Sequence, residues 1–87
     1  MIDTESAFRA LAAHLRGERA RADLTQPALA KLTGIHVTTI SHIERGHANM
    51  SLEQLFKIAA VLGTSAGTFL NAALAQAPGR ECSHEEA

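Results

Sequence analysis

The chain has 87 residues. That is one small domain, or one domain with a short tail, and it leaves no room for a multidomain enzyme, a large barrel or a full dinucleotide-binding fold. Its residues are 46% hydrophobic and 20% charged, and the formal charge is -1; this is an ordinary globular mixture that does not by itself mark a nucleic-acid binder. Seventeen alanines, three Phe and no Trp or Tyr favour closely packed helices, so the expected fold class is all-α.

Asp3 or Thr4 can cap a first helix. Phe8, Leu11, Ala12 and Leu15 follow a helical period within it. It is expected to run to about Ala22, with Arg16, Arg19 and Arg21 toward the end where cations suit the helix dipole. Thr25 is the next N-cap, followed by Gln26 and by Pro27, which a first turn tolerates. Ala28 to Thr33 reads as a short helix, and Gly34 as the left-handed residue that ends it.

The run Ile35-His36-Val37-Thr38-Thr39-Ile40 has strand propensity. Its apolar spacing argues for a helix. At about 100° per residue, Thr39, Ile40 and Ile43 fall on one side, and Val37, Thr38, Ser41, His42 and Arg45 on the other. A helix closed by Gly46 is therefore predicted. Ser51 and Gln54 form a capping box for a fourth helix, with Leu52, Leu55, Phe56, Ala59 and Leu62 as its buried stripe and Gly63 as its stop. Ser65 starts a fifth helix containing Phe69, Leu70, Ala73 and Leu74, ended by Pro78-Gly79. The domain is expected over residues 4–77, and 78–87 read as a flexible acidic tail.

Charge is uneven along the chain. Residues 9–47 carry Arg9, Arg16, Arg19, Arg21, Lys31 and Arg45 against Glu18, Asp23 and Glu44, a net +3. The segments on either side are each at -2. A solvated helix face explains such a pattern as readily as a binding surface does. The lone Cys82 has no partner for an internal disulfide, no signal-peptide pattern precedes an apolar run, and no apolar stretch approaches a membrane span. A cytoplasmic, reduced protein with no membrane association is expected. His36 and His42 are six residues apart and do not share a helix face, and Cys82 and His84 have no second ligand pair. Neither a nucleophile elbow nor a glycine-rich phosphate loop occurs. No metal, no cofactor and no enzymatic activity are expected.

The informative block is Thr25 to Gly46. Two short helices are joined around Gly34; Ala30 is small enough for them to cross closely, and Ile40 anchors the second in the core. The polar outer face of the second helix can then enter a major groove. Thr25-Gln26, Leu29-Ala30, Gly34-Ile35, Thr39-Ile40-Ser41, Ile43-Glu44-Arg45-Gly46, Ser51-Leu52 and Leu62-Gly63 together resemble the Cro/phage-repressor (XRE) helix-turn-helix family, over roughly residues 8–74. Asn49-Met50-Ser51-Leu52 also resembles the small controller proteins of restriction–modification systems.

The resemblance implies a compact five-helix, lambda-repressor-like DNA-binding domain with its helix-turn-helix at helices 2 and 3. Its function would be sequence-specific transcriptional regulation, as a homodimer on double-stranded DNA carrying an inverted-repeat operator. The recognition helix would span about 36–45. By position, Val37, Thr38, Ser41 and His42 would face base edges. Gln26, His36, Arg45, His47 and Asn49 would touch the sugar–phosphate backbone, so that binding weakens with salt and strengthens as histidines charge. Arg19 and Glu44 would form a structural pair, with Arg16 as a competitor. Phe69, Leu70, Ala73 and Leu74 are the dimer-interface candidates. Two other readings use the same fold: an antitoxin that neutralises a toxin protein through its acidic tail and fifth helix, and a restriction–modification controller.

Overall fold

In the computed structural model, which describes residues 3–75, Asp3 starts the first helix. Its Oδ1 accepts the Ser6 N–H at 2.7 Å, and that bond to the ionised form is the main reason the Asp3 carboxyl is held below the usual carboxylate range. Helix α1 (Thr4–Arg21) follows, with Glu5 in its first turn and Arg19 and Arg21 in its last, as the dipole favours. It ends in a left-handed turn made by a non-glycine residue. Asp23 has φ 63, while Asp23 N–H and Leu24 N–H close back on the carbonyls of Ala20 and Arg19. Aspartate tolerates this conformation better than most side chains do.

Thr25 accepts from the Ala28 N–H and opens α2 (Gln26–Thr33), with Pro27 inside its first turn. The helix thus begins two residues before the predicted Ala28. Gly34, at φ 78, ends it, where a Cβ would be strained. Thr33 supports the turn from beneath: its hydroxyl donates to the Leu29 carbonyl at 2.8 Å and accepts the Ile35 N–H at 3.2 Å. The segment with mixed signals is a helix, α3 (Val37–Glu44), and Ile40 and Ile43 on its inner side are 0% and 2% exposed. The apolar period outweighs β-propensity because burying both isoleucines on one side requires helical spacing.

Ser51 and Gln54 form the reciprocal capping box of α4 (Leu52–Val61), and Ser65 caps α5 (Ala66–Leu74). No strand occurs among the described residues. Helix α1 packs on α5 and α3, α2 on α3 and α4, and α4 on α5. The core joins Leu15, Leu29, Ile35, Ile40, Ile43, Leu55, Ile58, Ala59 and Phe69. The His14 ring meets the Phe69 ring edge-on, with centroids 4.7 Å apart.

Two predicted faces need correction. In α4, Leu52 and Phe56 are exposed, and the buried residues are Leu55, Ile58 and Ala59. The helix is rotated so that one edge of its wide apolar arc meets the core and the other edge faces out. In α5, Phe69 and Ala73 are 1% and 0% exposed within the monomer. They close its core against α1 and α4 and cannot form a dimer surface; Leu70 and Leu74 stand half-buried at the rim. The predicted stop at Pro78-Gly79, the acidic tail over 78–87 with Cys82 and His84, and the domain end at 77 lie outside the described residues. No single helix among those described is long and apolar enough to cross a membrane.

Candidate nucleic-acid interface

Helix α3 is held from behind and left open in front. Behind it, the Glu44 side chain is 1% exposed. Arg19 grips it with two bonds, Nε to Oε2 at 2.7 Å and Nη2 to Oε1 at 3.1 Å. Arg19 also donates to the Leu24 carbonyl at 2.7 Å, and Arg16 donates to the Glu44 main-chain carbonyl. Gln26 Nε2 donates to Glu44 Oε1 at 3.0 Å. One carboxylate therefore ties the end of α3 to both α1 and the first residue of α2. A planar guanidinium suits this two-oxygen grip. Arg16 does not displace Arg19: Arg19 holds both carboxylate oxygens of Glu44 and Arg16 holds its main-chain carbonyl.

The front of α3 carries Thr38, His42 and Arg45, all exposed, with Val37 and Ser41 half-buried beside them. Arg45 Nη2 donates to the Ser41 hydroxyl at 2.9 Å. The five residues share one side because Ile40, Ile43 and Glu44 occupy the other. The surface presents hydroxyls, an imidazole, a guanidinium and one branched methyl pair. These can bond base edges and pack on thymine methyls in a major groove.

His36 is the N-cap of α3, and its Nδ1 accepts the Thr38 N–H at 3.1 Å. The sequence gives little warning of this, since histidine is not among the favoured caps. With Nδ1 accepting, the neutral ring carries its proton on the exposed Nε2 and can donate it to a phosphate. His36→Ala should lower stability by about 1 kcal/mol, and His36→Asn should restore most of it. Urea unfolding of both variants checks this; equal losses would remove the cap.

Gln26 sits at the start of α2, half-buried. Pro27 lacks an N–H, and the Ala28 N–H is used by Thr25 Oγ1 at 3.1 Å. The first turn thus offers the Gln26 main-chain N–H, and the side-chain amide is held in place by Glu44 rather than swinging freely. At the other end, Arg45, His47 and Asn49 line an open groove with Phe8, Arg9 and Glu5 of α1. Arg9 is paired with Glu5 there at 3.2 Å. Among the described residues, no group of three or more His, Cys, Asp or Glu could hold a metal ion.

Two short helices crossing at a left-handed glycine, the second clamped from behind and polar in front, define a helix-turn-helix DNA-binding domain. The chain belongs to the HTH_3 helix-turn-helix family, of Cro/phage-repressor (XRE) type, which matches residues 15–69. It is a DNA-binding domain of the transcriptional-regulator kind. Its structure is similar to that of the clp gene regulator ClgR from Corynebacterium glutamicum, at TM-score 0.78 and 28% identity, over 91% of this chain and 84% of that one. It is also similar to the restriction-modification controller protein C.AhdI from Aeromonas hydrophila, at TM-score 0.68 and 29% identity, over 71% of this chain and 94% of that one. A hydroxypropylphosphonic acid epoxidase from S. wedmorenis matches at TM-score 0.68 and 36% identity, over 76% of this chain but 35% of its own. No curated protein matches the sequence.

Proposed function

We propose that the protein regulates transcription from the cytoplasm by binding an inverted-repeat operator as a homodimer, with α3 of each copy in the major groove. The observation that carries this is the exposed row on α3, with Thr38, His42 and Arg45 facing outward from a helix whose far side is locked by Ile40, Ile43 and Glu44. Val37, Thr38, Ser41 and His42 read base edges in this account. The Gln26 N–H, the His36 Nε2–H, Arg45, His47 and Asn49 take phosphates on either flank, which sets register without sequence information. Few bidentate donors face the bases, so groove shape contributes to selectivity.

Selection of bound sites from random duplexes tests the reading. It should return an inverted repeat whose half-site centres are about 34–36 Å apart, one helical turn along a DNA face. Sites without symmetry, or no enrichment at all, would count against it. A second reading, as controller of a restriction–modification pair, draws on the likeness to C.AhdI and on Asn49-Met50-Ser51-Leu52. It predicts that the selected site lies upstream of an endonuclease or methyltransferase gene. The antitoxin reading needs the acidic tail, which lies outside the described residues, and α5, whose Phe69 and Ala73 are internal.

A further inference from the structure

Leu52 and Phe56 are 65% and 56% exposed and lie one turn apart on the same side of α4. Ala60, also exposed, continues that side for another turn. Among the described residues Leu32 is the third large apolar side chain more than half exposed, and it sits on α2, which packs against α4. The reading face of α3 uses none of these residues. On the order of 200 Å² of Leu52 and Phe56 is bare in each copy, enough for the anchors at the centre of a dimer interface of about 800 Å² per partner.

We infer that this face of α4 is where two copies of the chain meet. The inference rests on the two-fold reading above and names the surface that makes it. Charge favours a second copy as the occupant. Glu53 and Lys57 flank the apolar row and pair within the helix at 3.2 Å, both largely in solvent. A two-fold interface brings each residue of a patch against the same patch reversed. When two α4 helices cross antiparallel about a point near Leu55, Glu53 of each copy stands opposite Lys57 of the other. One exposed intrahelical pair becomes two intermolecular ones around a Leu52/Phe56 centre, with no like charges opposed. Ala60 is small enough to let the helices approach closely. The chain's own residues 76–87 contain no Leu, Ile, Val, Met or Phe and have nothing with which to fill the apolar row. Helix α5 has already committed Phe69 and Ala73 to the monomer core.

Sedimentation equilibrium of the full chain over a range of concentrations, with and without its selected duplex, tests this. The parent should show a monomer–dimer equilibrium. Phe56→Glu and Glu53→Lys should each raise the dimer dissociation constant by at least about tenfold, with circular dichroism unchanged. Combining Glu53→Lys with Lys57→Glu should bring the constant back toward the parent's, which a general surface effect would not do. If the parent dimerises and both single variants dimerise equally well, α4 is not the interface. Leu70→Glu giving monomers would then place the interface on α5 and leave the two-fold reading intact. A parent that stays monomeric throughout overturns both readings and leaves the face to another partner.

Discussion

Glu44→Ala is expected to lower the stability of the fold by about 3 kcal/mol. For a domain of this size that corresponds to a fall of roughly 12–24 °C in melting temperature. The reason is the number of donors left behind. Arg19 has a side chain only 20% exposed and loses both of its carboxylate bonds, and the Gln26 side-chain amide loses its bond to Oε1. A partly buried guanidinium without a counter-charge is costly, and the figure is set at the low end of the range because water still reaches Arg19. Glu44→Gln should fall between the two, since its amide keeps one acceptor but turns an N–H₂ toward the arginine. Thermal unfolding measures this directly, and a drop of less than about 4 °C for the alanine variant would show that the clamp contributes little. The variant should also loosen α2 from α3, because Glu44 is the shared anchor of Arg19 and Gln26.

Phe69→Ala should cost about 3–5 kcal/mol, the range for removing a large aromatic from a core. Phe69 is 1% exposed and is the largest fully buried side chain among those described. Its loss leaves a void between α1 and α5, and the His14 ring loses its edge contact. Leu70→Ala, one residue on but half-buried, should cost less than half as much. Urea unfolding with an unchanged slope on denaturant reports both values. A Phe69 variant as stable as the parent would mean that this ring does not hold the core.

Helix starts were legible because the side-chain oxygens of Asp3, Thr25, Ser51 and Ser65 announce them, and each accepts the main-chain N–H three residues on. The recognition helix was legible because Ile40 and Ile43 can be buried together only at helical spacing. What failed did so for a common reason. The apolar arc of α4 is wide enough to bury either edge, and the choice depends on where α2 and α5 lie, which no local pattern encodes. A local pattern therefore puts Leu52 and Phe56 inside and passes over Ile58, whereas the structure buries Ile58 and exposes the other two. The same holds for α5, where a run of four apolar residues did not say which two face in. In the binding region, the outer row of α3 follows directly from the inner one. The Gln26–Glu44 bond joins residues 18 positions apart in the chain and depends on how α2 crosses α3. The His36 cap depends on a side-chain rotamer, and the left-handed Asp23 takes a conformation usually given to glycine or asparagine. None of these had a signal strong enough to stand out.

The exposed side of α3 is the surface proposed to read DNA. Selecting bound duplexes with the parent and with the Thr38→Ala/His42→Ala double variant tests it most directly. The expected result is a changed base preference at positions inside each half-site, with half-site spacing kept and thermal stability within about 1 kcal/mol of the parent's, as befits exposed positions. Recovery of the same sites with the same affinity by both proteins would contradict the account.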